Sequence, residues 1–225
     1  GLDALVFTAG TGQRSAPVNE IEFELKQGSI HELIQAVQPW VEKYQIWLDS
    51  SSKALKGQML QQALQAVPVQ YQSSLALHAD DHVGAALAKI IANCLEHLLP
   101  NSSAIAGQQY EAGHVHQARV AIRRMRSALK TFGQWAGRDT QAWQDQLAEL
   151  FRQLGATRDR DALAASLIPQ LQLAGSPVSE LPAQEAVEED ISALFRAPKT
   201  TLLLLELIEF SHQPQDGKSR LKKQS

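Results

Sequence analysis

The chain has 225 residues, 44% of them apolar and 20% charged, with a net charge of −3. That balance fits a soluble globular protein of one or two domains with a sizeable core, and it excludes disordered, collagen-like and disulfide-built chains. Cys94 is the single cysteine, so no internal disulfide forms and the cytoplasm is the expected compartment.

Leu2–Phe7 and Val18–Leu25 read as strands around a Gly- and Ser-bearing turn, a small N-terminal β-hairpin. No secretory signal precedes the first strand. No apolar run reaches the ~20 residues that span a bilayer, so no membrane is expected as a partner. Gly10-Thr11-Gly12 lacks the Lys-Ser/Thr ending and following helix of a phosphate loop, and reads as a turn. In VNEIEFEL a period of two puts Glu20, Glu22 and Glu24 on one face and Ile21, Phe23 and Leu25 on the other. Three neighbouring carboxylates suit either a solvated face with basic cross-strand partners or a divalent cation.

Helices follow. Ser29 with Glu32 forms a capping box for an amphipathic helix reaching about Trp47, bent or interrupted at Pro39. Ala63–Ser74, with Pro68 and several glutamines, reads as a linker. Asp80 or Asp81 is expected to cap a helix over Val83–Leu99, ended by Pro100 and followed by a polar loop, Asn101–Ala112. His78 and His82 stand four apart, but no third metal ligand is near. Thr140 is expected to cap a helix to Leu154, stopped by Gly155. A further helix over Arg158–Leu173 is interrupted near Pro169. Its Asp159 and Asp161 either complement the helix dipole or anchor an arginine. After a loop at Gly175–Pro182, helices at Ala183–Phe195 and Thr200–Phe210 are split by Pro198, and a basic tail follows. The expected fold is mainly α, an antiparallel helical bundle with a small N-terminal β piece plus a helix.

The chain is organised around HVHQARVAIRRMRSALKTF, His114–Phe132. On a helix, His116, Arg119, Arg123, Arg126 and Lys130 form one basic ridge, while Ala118, Ile122, Met125, Leu129 and Phe132 form a separate apolar stripe. Arg124 lies ~100° off the ridge. No Asp or Glu occurs between Ala112 and Arg138, so no i,i+4 partner neutralises the ridge within its own helix. Two readings stay open: arginines paired with acids on neighbouring helices, or arginines awaiting an anion. The ridge is ~20 Å long, enough for a chain of phosphates, and the arginine fork takes two phosphate oxygens at once. Histidine adds a donor whose charge depends on pH near neutrality.

This helix resembles the signature helix of the CHAD family, helical domains known for binding inorganic polyphosphate. His116, Arg119, Arg123, Arg124, Arg126 and Phe132 match its pattern, and LGATRDRDAL, with Arg158, Asp159 and Asp161, resembles its second landmark. The resemblance covers Leu77 to the C-terminus. It implies that His116, Arg119, Arg123, Arg126, Lys130, Arg124 and Arg158 bind inorganic polyphosphate or a similar polyanion, without a cofactor. Family members usually carry a second helical half. This chain stops inside what resembles the joint between halves, so it is expected to be either a cut piece or a short natural protein, and a homodimer would supply the missing half.

SAPVNEIEFELKQGS resembles the late strand of CYTH domains, tunnel-shaped barrels that hydrolyse triphosphates with magnesium or manganese, and SSKALKG resembles their closing segment. That resemblance implies metal binding by Glu20, Glu22 and Glu24, with Arg14 and Lys53 as weaker matches. The opening ExExK motif is missing, and two strands cannot close a tunnel of roughly eight. The expected division is therefore 1–62 as a CYTH remnant, 63–76 as linker and 77–225 as a CHAD-like bundle. The main expectation is a non-catalytic polyphosphate-binding module, and the alternative is part of a metal-dependent triphosphatase. Nucleic acid ranks last as a partner, because interleaved aromatics and a reader motif are missing.

Overall fold

The computed structural model describes residues 3–9, 12–64, 66–174 and 190–213, with the backbone alone for 3–9, 12–18 and 156–171. Strands β1 (Asp3–Ala9) and β2 (Gly12–Val18) pair antiparallel, with Asp3 opposite Val18. The expected pairing of Leu2–Phe7 with Val18–Leu25 is not formed. Residues 19–25 have no regular secondary structure. On their alternating apolar side Phe23 meets Trp40 edge-on, but Ile21 and Leu25 stand 51% and 41% exposed. Alternation without a partner strand and a packed face does not make a strand.

Helix α1 (Ile30–Tyr44) begins at the Ser29–Glu32 capping box as expected and buries Ile34 and Val41 near Leu205. It runs through Pro39 and ends at Gln45, which takes a left-handed conformation (φ 52°). Helix α2 (Lys53–Gln62) is capped by Ser52, whose hydroxyl accepts from the Leu55 amide.

The main bundle consists of α3 (Val83–Ala106), α4 (Ala112–Phe132), α5 (Gln141–Leu173), α6 (Ile191–Arg196) and α7 (Pro198–His212). Its core includes Leu87, Ile91, Ile122, Met125, Leu147 and Phe210, each with at most 1% of its surface exposed. Ala118, Ile122, Met125 and Leu129, four of the five residues of the α4 stripe, are buried there, and Phe132 packs at its edge. Helix α3 is long and apolar enough to cross a bilayer. Leu87, Ile91, Cys94 and Leu98 on it are fully buried by the bundle, the pattern of a core helix.

Three expected helix boundaries fall elsewhere. Helix α3 continues through Pro100 to Ala106. Asn101 Nδ2 donates to the His97 carbonyl at 2.7 Å and Ser102 Oγ to the Leu99 carbonyl at 3.0 Å. Ile105 and Ala106, expected in a loop, are core residues. Packing outweighs the amide that proline lacks. Asp81 does not cap α3. Its carboxylate accepts from the His78 amide and pairs with Lys89, while His82 holds the N-cap position. Helix α5 runs unbroken through both Gly155 and Pro169. Gly155 has no left-handed φ and so does not act as a stop. The expected loop at Gly175–Pro182, the first part of the helix from Ala183 and most of the basic tail lie outside the described residues.

Candidate functional site

Helix α4 lies between α3 and α5. Its ridge residues do not share one environment. Arg123 and Lys130 are exposed, whereas His116, Arg119 and Arg126 are half-buried. Arg119 and Arg126 converge on Phe151 of α5, with Cζ 4.8 Å and 5.3 Å from the ring centroid. Arg119 also donates from Nη1 to the Leu154 carbonyl at 3.1 Å. Among the described residues, no carboxylate lies within salt-bridge distance of Arg123, Arg124, Arg126 or Lys130. Arg158, Asp159 and Asp161 fall on the backbone of α5, and their side chains lie outside the described residues.

The family model described as CHAD domain matches residues 89–219, more than half of the chain. The chain belongs to the CHAD family. A solved structure, the CHAD domain from the plant Ricinus communis, is 33% identical with a TM-score of 0.50, covering 64% of this chain and 52% of that one. This chain thus spans about half the length of that plant domain. No curated protein matches the chain.

In this CHAD domain Arg124 turns away from the ridge, toward α3. Its Nη2 donates to Asn93 Oδ1 at 2.7 Å, and its buried Nη1 meets no protein acceptor. Asn93 is the first of three polar residues spaced four apart on α3: Asn93, His97 and Asn101, each at most 5% exposed. His97 Nε2 lies 2.9 Å from Gln117 Oε1. Burial holds the His97 pKa below its ordinary value, and the charges of Arg124 and His116 push the same way against the Gln117 hydrogen bond. The contacts Asn93–Arg124 and His97–Gln117 run in opposite directions along the two helices, so α3 and α4 are antiparallel.

The stretch expected as a linker lies on this same seam. Asn101 exchanges hydrogen bonds with the Gln70 backbone, at 3.2 Å from its amide and 2.9 Å to its carbonyl. Asn93 Nδ2 donates to Ser73 Oγ at 2.7 Å. Segment 70–73 is thus strapped along α3, and Val67 beside it is buried. Sequence reasoning missed Asn93, His97, Gln117 and Asn101. The available signal was the spacing of four among Asn93, His97 and Asn101 on a largely apolar helix, which asks for polar partners in a core.

Glu20, Glu22 and Glu24 do not converge into an acidic cradle. Lys53 Nζ lies 3.6 Å from Glu20 and 3.3 Å from Glu22, and Lys26 lies 2.6 Å from Glu24. Lys56 pairs with both Glu20 and Asp49. Burial lowers the Lys56 pKa, but its hydrogen bonds and the two carboxylate charges outweigh that and raise it. Lysines at these carboxylates compete with a cation, so this arrangement does not fit magnesium or manganese. Among the described residues, no group of three or more His, Cys, Asp or Glu side chains could hold a metal ion.

Proposed function

We propose that this CHAD domain binds inorganic polyphosphate, or a polyanion of similar charge density, along α4. His116, Arg119, Arg123, Arg126 and Lys130 are the contacts, with Arg158 added from the family resemblance alone. The observation that supports this most is that Arg123, Arg126 and Lys130 lack carboxylate partners among the described residues. Their repulsion is relieved when phosphates displace water and counterions along the ridge. Arg124 contributes charge at the seam rather than a ridge contact, since Asn93 holds it toward α3. The alternative, part of a metal-dependent triphosphatase, gains no support from Glu20, Glu22 and Glu24, which lie against lysines.

Titration of the wild-type chain and of Arg123→Glu/Lys130→Glu with long-chain polyphosphate, tripolyphosphate and single-stranded DNA at two salt concentrations tests this. Tight, salt-sensitive binding of polyphosphate that the double variant loses is expected. Equal affinity for DNA, or a charge-reversed variant that binds as before, overturns it. Magnesium-dependent phosphate release would transfer the case to the enzyme.

A further inference from the structure

Phe151 is shared by two guanidiniums that belong to different turns of α4, Arg119 and Arg126. Seven residues separate them, so their backbones stand roughly 10 Å apart along the helix axis, while both heads reach back to the same ring, 4.8 Å and 5.3 Å from its centroid. An arginine over an aromatic face is attracted by the ring's quadrupole, and one ring thereby steadies both heads. Arg119 has a second support in the Leu154 carbonyl. Room for it exists because position 155 is glycine, where a Cβ would stand 2.7 Å from Nη1. Arg126 is half-buried, rests on the same ring and has no carboxylate within salt-bridge distance among the described residues.

An unsupported arginine gives up rotamer freedom when it binds a ligand, and a pre-set one gives up less. Two heads held against one ring also read length. A ligand that bridges both heads gains the second contact intramolecularly, whereas a shorter one engages a single head. We propose that Phe151, with the Leu154 carbonyl and the gap at Gly155, is a positioning platform that pre-sets Arg119 and Arg126 and so favours long polyphosphate over tripolyphosphate. This rests on the polyanion-binding reading above. Phe151 itself touches no phosphate.

The test compares wild type, Phe151→Leu and Phe151→Tyr for binding of long-chain polyphosphate and tripolyphosphate across a salt series. Side-chain Nε–H order parameters of Arg119 and Arg126 are measured in the free proteins. Phe151→Leu is expected to weaken long-chain binding about tenfold, to weaken tripolyphosphate by less than about threefold, and to lower both order parameters. The salt slope should stay unchanged, because every charge remains. Phe151→Tyr keeps the ring and should restore long-chain affinity. If Phe151→Leu fails to fold, Gly155→Ala supplies the same test, with several-fold weaker long-chain binding at an unchanged slope. Wild-type binding with an unweakened variant, an equal loss for both ligands, or a flattened slope overturns the platform alone. A wild-type chain that binds no polyphosphate overturns the binding reading and the selectivity with it, while the order parameters still report on the platform's geometry.

Discussion

The guanidinium of Arg119 occupies the space that a side chain at Gly155 would need, since a Cβ there would stand 2.7 Å from Nη1. Replacing an interior helical glycine by alanine ordinarily stabilises by about 1 kcal/mol. Here alanine displaces Arg119 from the Leu154 carbonyl, a hydrogen bond to a charged group worth about 1.5 kcal/mol or more. Gly155→Ala is therefore expected to show no net gain in urea unfolding, and a loss of up to about 1 kcal/mol. Stabilisation by the full propensity difference would show that Arg119 does not depend on this gap.

Asn93 joins the seam from two sides, accepting from Arg124 and donating to Ser73. Truncation to alanine strands a guanidinium whose buried Nη1 already lacks an acceptor. The expected cost is about 2–3 kcal/mol, at the upper end for a hydrogen bond to a charge. Arg124→Met combined with Asn93→Leu removes both partners and should recover much of it. Urea unfolding of the four members of that double-mutant cycle measures the coupling. Additive losses would deny it.

His97 gives the domain a pH-dependent stability. Its folded pKa lies below the ordinary 6.5, chiefly through burial. As pH falls below 6.5 the unfolded chain takes up the proton first, so protonation favours unfolding. The sign is fixed by linkage: the contribution is fully present above the unfolded value and is lost as pH falls toward the folded one. Thermal unfolding from about pH 7.5 down to about pH 5 should show a falling midpoint that His97→Gln flattens. An identical slope in the variant would assign the loss to other groups.

Helix α4 was legible because two independent patterns coincide on it. Its apolar stripe fixed the buried face, and Ala118, Ile122, Met125 and Leu129 are all interior. The ridge was legible as a set of residues on one face but not as a set of environments. Helix periodicity carries no information about Phe151, which comes from another element and draws in Arg119 and Arg126. Local stop signals failed where tertiary contacts compensate them. Pro100 is carried by the buried turn around Ile105, and Gly155 is small to make room for a neighbour rather than to end a helix. VNEIEFEL failed for the opposite reason, since a strand pattern needs a partner that lies elsewhere in the sequence.

The amide at position 93 and the imidazole at position 97 have a mechanical consequence for the pair α3 and α4. A purely greasy contact would tolerate sliding by a helical turn, about 5.4 Å, with little change in apolar area. Here such a slip would carry Asn93 away from Arg124 and His97 away from Gln117 at once. Asn93 and His97 together act as a ratchet tooth that sets the longitudinal position of α4, and with it the height at which each basic head meets whatever lies alongside.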